Sequence, residues 1–314
     1  MAFFNHSSNI SLPSPNFIKE TMFCKEERSN ILLQGGKYYT FISLYASFGI
    51  FGLLLNGFVI QIIKATKQSQ NQSIKLLMYL SCVDLVSSII ALGRIPLFVN
   101  GEKTSCRTLS WTYFLSLLSI YASNYLFALT GFDRFLRIKY LEDYNQYFTC
   151  RRFRVIMAWY VFLTILQSGI GAYFNSKHHI GYASSYVMPI NIIVVIITIL
   201  FYALSIYKLR QLRKTNQAIS DATKSVLKVT KIYLYLFVCS TGATLIYQVV
   251  LNRLTLSRLQ PLIMQNVIIL LPTILGCINA VAFLVLNPHA KRYIVTLQSE
   301  LFRSSAVDHQ NIPI

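Results

Sequence analysis

The 314-residue chain is 54% hydrophobic, with a mean hydropathy of +0.49 and only 13% charged residues. A soluble domain carries about twice that charged share, so a water-soluble globular protein is excluded. Lys and Arg outnumber Asp and Glu by 29 to 11, a net charge of +18. This charge clusters in loops between apolar runs, which argues against nucleic acid as its partner.

Residues 1–37 are polar, with Pro13, Pro15 and mixed charges, and are expected to form a loosely ordered outer segment. Met1-Ala2-Phe3-Phe4 lacks the basic and apolar regions of a signal peptide, so the first span is expected to serve as the insertion signal. Asn5-His6-Ser7 and Asn9-Ile10-Ser11 are glycosylation sequons, with Asn5 and Asn9 as acceptors. Apolar windows of about 20 residues predict seven spans: 38–63, 74–99, 107–138, 153–174, 183–208, 227–251 and 262–286. The expected fold is an all-α membrane protein, a seven-transmembrane helix bundle over 38–286. After it, residues 287–314 carry a short amphipathic eighth helix and tail, with Tyr293, Ile294, Leu297, Leu301 and Phe302 at helical spacing.

Polar residues interrupt the spans in order. Span 1 carries Asn56, span 2 carries Asp84 and then Arg94 and Pro96, and span 3 carries Ser116, Ser119, Ser123 and Asn124. Span 4 carries Trp159 with Gly169 and Gly171, which predict a close helix approach. Span 5 opens near Pro189, span 6 carries Ser240, Thr241 and Thr244, and span 7 carries Pro272 and Asn279. The loops after spans 1, 3 and 5 and the tail hold most of the cations, among them Lys64, Arg151, Arg152, Arg213 and Arg292. Cationic loops remain cytoplasmic, so the N-terminus is predicted outside and the C-terminus inside, with the basic face toward anionic membrane lipid and cytosolic partners. Cys82, Cys239 and Cys277 fall within spans as small packing residues, and Cys150 is cytoplasmic and reduced. Only Cys24 and Cys106 lie on the outer side, either bridged or as two free thiols.

Asp84 is the deepest ionisable residue, and a buried carboxylate must be paired, ion-bound or neutral. Ser123, three helical turns outward from Arg134, lies at the same depth, as do Asn279 and Asn56. Such an oxygen-rich cluster suits a small hard cation such as Na⁺, or a water-filled core without a specific ion. Asp133-Arg134-Phe135 ends the third span, either as flanking charges that stop the helix or as a functional pair.

Taken together these residues resemble a rhodopsin-like (class A) G-protein-coupled receptor, in a divergent form. Asn56 matches that family's span-1 asparagine, and Leu80 with Asp84 its span-2 Leu-x-x-x-Asp. Asp133-Arg134-Phe135 matches Asp-Arg-Tyr, Trp159 the span-4 tryptophan and Tyr202 the span-5 tyrosine. Asn279-Ala280-Val281-Ala282-Phe283 matches Asn-Pro-x-x-Tyr. The resemblance covers all seven spans. It implies a plasma-membrane receptor that couples an extracellular ligand to heterotrimeric G proteins. Arg134 would contact the G protein, Asp133 would restrain it at rest, and Tyr202 and Phe283 would repack around it.

The chain departs from that pattern in several places. The loop between spans 4 and 5, about 175–186, has no cysteine. Span 6 reads Phe237-Val238-Cys239-Ser240-Thr241-Gly242, without Cys-Trp-x-Pro. Ala280 replaces proline, and Phe135 and Phe283 replace tyrosines. The inner end of span 6 offers Thr223, Lys224 and Lys228 but no acid. Pocket candidates are Arg94, Ser116, Ile120, Tyr186, Thr244, Gln248 and Gln265. Ser116 takes the place where amine receptors hold an aspartate, which argues against a monoamine ligand. Arg94 points to an acidic ligand, to a pair with Glu102 or to snorkelling toward the interface. No histidine falls in a span and Asp84 has no second carboxylate at its depth, so an intramembrane enzyme is not expected. The absence of internal repeats argues against a transporter. A non-signalling or decoy receptor remains as the alternative.

Overall fold

The computed structural model describes residues 36–67, 72–99, 105–140, 143–177, 180–215 and 259–308, with helix as their secondary structure and no strand among them. The helices are α1 (Gly36–Ala65), α2 (Gln72–Val99), α3 (Cys106–Tyr140), the one-turn α4 (Tyr144–Tyr147), α5 (Cys150–Lys177), α6 (Ile180–Thr215), α7 (Leu259–Leu286) and α8 (Pro288–Asp308). Six of them, α1, α2, α3, α5, α6 and α7, are long and apolar enough to cross a membrane. The described residues are thus all-helical, and the chain is multi-pass by length and composition. Helices satisfy their own backbone in hydrocarbon, and so tolerate Pro96, Pro189 and Pro272 inside α2, α6 and α7. Span 6, with Thr244 and Gln248, lies outside the described residues, as do Asn5, Asn9 and Cys24.

Local chemistry sets the helix starts. Ser105 Oγ accepts the Thr108 amide at 3.2 Å, and Thr149 Oγ1 accepts the Arg152 amide at 3.4 Å, each capping the third residue of its helix. Asn287 Oδ1 accepts the amides of His289 (2.9 Å) and Ala290 (3.4 Å), with Pro288 preset for the first helical position. These bonds turn the chain from α7 into α8. α1 ends at Ala65, and two residues on Lys67 turns the chain with a left-handed φ of 53°.

α3 is central: 56% of its apolar window is buried, against 22% for α5 and α6. The exposed faces of α5 and α6 carry Trp159, Phe162, Ile193, Ile196 and Leu200, a surface that suits lipid and not water. At one end Phe41 and Tyr45 of α1 pack with Leu97 and Phe98 of α2 and Leu270 of α7. At the other, Ile62 and Ile63 of α1 pack with Phe283 of α7 and Ala290 of α8.

Several expectations are corrected. Nothing lies within 4 Å of where a Gly169 side chain would start, so that glycine serves no close approach. The close seam runs instead between α1 and α2, where a Cβ at Gly49 would sit 2.6 Å from Leu92 Cγ and one at Gly52 would collide with Ser88 Oγ. Cys82 is exposed, facing away from the bundle, whereas Cys277 is a buried packing residue and Cys239 lies outside the described residues. Most of the loop expected at 175–186 is helical, because α5 continues to Lys177 and α6 begins at Ile180. The eighth helix reaches Asp308, beyond the expected amphipathic stretch.

Candidate functional site

A column of buried polar groups runs along α2, α3 and α7. Asp84, Ser87, Ser88 and Ala91 recur at helical spacing, so one face of α2 turns inward. Asn279 Nδ2 donates to Asp84 Oδ2 at 3.4 Å, joining α7 to α2 across 195 residues of sequence. Gly276, one turn from Asn279, makes this approach possible, since a Cβ there would stand 2.7 Å from Asp84 Cβ and 2.8 Å from its Cγ. Asn56 Nδ2 donates to Gly52 O of its own helix at 3.0 Å. Asn56 Oδ1, Ser123 Oγ and Asn279 Oδ1 are buried without a hydrogen-bond partner among the described residues.

Asp84 and Asn279 are therefore in direct contact. Ser123 and Asn56 are buried on α3 and α1, with no described hydrogen bond to either. Among the described residues no three His, Cys, Asp or Glu side chains converge as a metal site. The Asp84 carboxylate, with the unsatisfied Asn279 oxygen on the amide that contacts it, suits a hard monovalent cation or ordered water.

Further out, Ser87 and Ser119 hydroxyls are hydrogen-bonded to each other, and Thr273 Oγ1 donates to Ser87 O at 3.3 Å. Arg94 is 3% exposed and donates from Nη1 to Ser116 Oγ at 3.4 Å, which overturns snorkelling toward the interface. Ile120 is buried one turn deeper on α3. Tyr186 lies in α6, Gln265 in α7 and Cys106 at the start of α3, with side chains outside those described. The expected Cys24–Cys106 pair therefore lies outside the described residues, as does any contact of Arg94 with Glu102.

At the other end, Asp133 is fully buried and its Oδ1 accepts the Tyr144 hydroxyl. Its Oδ2 lies 3.9 Å from Arg137 Nε, and the Arg137 guanidinium sits 4.6 Å above the Tyr144 ring. Burial, then the Asp133 carboxylate, pushes the Tyr144 phenol above its ordinary range. The expected restraint of Arg134 by Asp133 is thus replaced. Helix neighbours diverge by about 100°, whereas residues four apart share a face, so Asp133 meets Arg137. Arg134 is half-buried and makes no ion pair among the described residues, and its buried Nε lacks a partner there.

Phe135 packs on Phe201 of α6, with ring centroids 5.9 Å apart. Tyr202 is fully buried against α3, its hydroxyl donating to Phe127 O at 3.4 Å. Phe283 packs with Val59, Ile62 and Ile63 of α1. Trp159 is 60% exposed on the outer face of α5.

Two groups were missed by sequence reading. Tyr144 sits in a short inter-span stretch, where its spacing from Phe148 was the available signal. A second set crosses three helices: Tyr125 donates to Gln167 Oε1 at 2.5 Å, and Gln167 Nε2 donates to Asn191 Oδ1 at 2.9 Å. Gln167 and Asn191 stand out as polar residues in apolar spans, the same signal that marked Asp84. No protein-family model matches the chain, and no curated protein matches it.

Proposed function

We propose that this protein is a divergent rhodopsin-like receptor that transmits binding of an extracellular ligand to cytosolic heterotrimeric G proteins. In this reading it is a seven-span bundle of the plasma membrane with its N-terminus outside, and α8 lies along the inner leaflet. The observation that carries the reading is the Asn279–Asp84 contact, which joins two motif residues far apart in sequence at one depth of the bundle. The inner end of α3 supports it with Arg134 beside the buried Asp133–Tyr144 pair.

Arg134 is the side chain for coupling. Its guanidinium retains its charge and exchanges one oxygen partner for another, so it serves a backbone carbonyl of a docked G protein. Signalling then needs a bundle with two arrangements, and a ligand that binds one better than the other shifts the population toward it. Arg94 and Ser116 form the polar part of the ligand site, with Ile120 beneath them.

The test is basal activation of a panel of Gα classes in cells expressing the full chain. The parent is expected to activate at least one class, and Arg134→Ala to abolish that activity at equal surface level. A parent silent with every class, and unaffected by Arg134→Ala, favours the decoy receptor, which the missing span-6 Cys-Trp-x-Pro also favours.

A further inference from the structure

Gly131 lies in the interior of α3, three residues before Arg134. Glycine is a poor choice in a helix interior, where alanine ranks best and glycine near the bottom. The surroundings give the reason. A Cβ built at position 131 would stand 2.9 Å from Tyr202 Cε2, 3.1 Å from its Cδ2 and 3.4 Å from its Cζ. These atoms belong to a flat, rigid ring that is fully buried. The ring lies directly on the α3 backbone, and its hydroxyl reaches Phe127 O at 3.4 Å. In the helix ladder that same carbonyl receives the Gly131 amide, so ring and glycine occupy one turn of α3. Around this seat Phe201 packs against Phe132 and Phe135, with ring centroids 5.1 Å and 5.9 Å apart. The inner half of α6 is thereby pressed onto the turn of α3 that carries Arg134.

We propose that Gly131 is the positioning residue for Tyr202: its missing side chain is the seat that holds α6 against α3 beside Arg134. The functional part rests on the receptor reading above, and the seat itself does not. A methyl at 131 displaces the ring, and the ring takes α6 with it. The sign separates this from an ordinary glycine. A free helical glycine replaced by alanine gains stability, whereas an occupied seat loses it.

The experiment is a double-mutant cycle of Gly131→Ala and Tyr202→Ala in the full chain, reading the melting midpoint in lipid nanodiscs and basal G-protein activation per surface receptor. Gly131→Ala is expected to lower the midpoint by about 3 °C. It is expected to raise basal activation about fivefold, the shift that the low end of an overpacking cost produces in a two-state equilibrium. Added to Tyr202→Ala, it is expected to lower the midpoint no further, because the methyl enters the space the ring leaves. An unchanged or raised midpoint for Gly131→Ala overturns the proposal, and so do additive losses in the double variant. If Gly131→Ala fails to reach the surface, Tyr202→Ala is expected to restore it, and failure to do so overturns the proposal equally. Coupling in the melt with no G-protein activation in any variant sustains the seat and sinks the receptor reading. Activation in the parent without coupling in the melt sinks the seat alone.

Discussion

Asp84 lies against α7 because position 276 carries no side chain. Gly276→Ala adds helix propensity worth about 1 kcal/mol yet is expected to cost about 1–3 kcal/mol net, since Cβ and Cγ of Asp84 have no flexible end to swing away. A midpoint raised by Gly276→Ala would refute the close approach. Asp84→Asn preserves shape and removes charge, so it tests the chemistry of the same place. The parent is expected to melt higher in Na⁺ than in a bulky organic cation, and Asp84→Asn to lose that difference. If neither variant nor parent responds to Na⁺, the unsatisfied oxygens of Asn56, Ser123 and Asn279 belong to water. At the Arg134 end of α3, Tyr144→Phe removes a donor from a buried carboxylate and is expected to cost about 1–3 kcal/mol in a denaturation series. The pH sense follows from the raised phenol of Tyr144. The neutral phenol is the favoured folded form, so its contribution is full below the ordinary tyrosine value of about 10 and is lost as pH climbs through the raised one. A parent-minus-Tyr144→Phe difference that already falls between pH 6 and pH 8 would contradict this.

At the scale of elements, apolar length was the readable signal and facing was not. Windows of about 20 residues found all six membrane-length helices among the described residues, because hydrocarbon thickness sets their length. Composition does not say which glycine meets a neighbour: Gly169 faces open space, while a close seam forms at Gly49 and Gly52. Polar residues within spans were informative individually, and their pairing was informative only in part. Asp84 and Asn279 meet as expected, whereas Asp133 turned from Arg134 to Arg137 and Tyr144 because helix phase overrides sequence adjacency. The start of α8 was readable in Asn287-Pro288, a cap followed by a residue preset for the first turn. Asn287→Ala is expected to cost about 1 kcal/mol and to speed amide exchange in the first turn of α8 alone. Equal exchange in parent and variant would show that packing of Ala290 on Ile62 and Ile63 holds the corner without the cap.

For the whole molecule, charge and burial divide the bundle along its length. The end where α1, α7 and α8 meet carries exposed Lys64, Lys67, Lys291 and Arg292, and the start of α5 adds exposed Arg151, Arg152 and Arg154. Toward the opposite end the hydroxyl of Tyr45 donates to Asn266 O at 3.0 Å, beside Phe98. Each Lys or Arg near an anionic leaflet is worth about 1 kcal/mol, and translocating such a cluster opposes insertion. Several of these cations act together, so the orientation with the α8 end in the cytosol is expected to dominate. Arg134 then faces the compartment that holds G proteins, which the proposed function requires. Epitope tags at the two termini decide this in intact cells. The N-terminal tag is expected to stain without permeabilisation and the C-terminal tag only after it. A C-terminal tag accessible from outside would place Arg134 on the wrong side of the membrane, and the receptor reading would fall whatever the mutants of the inner cluster did.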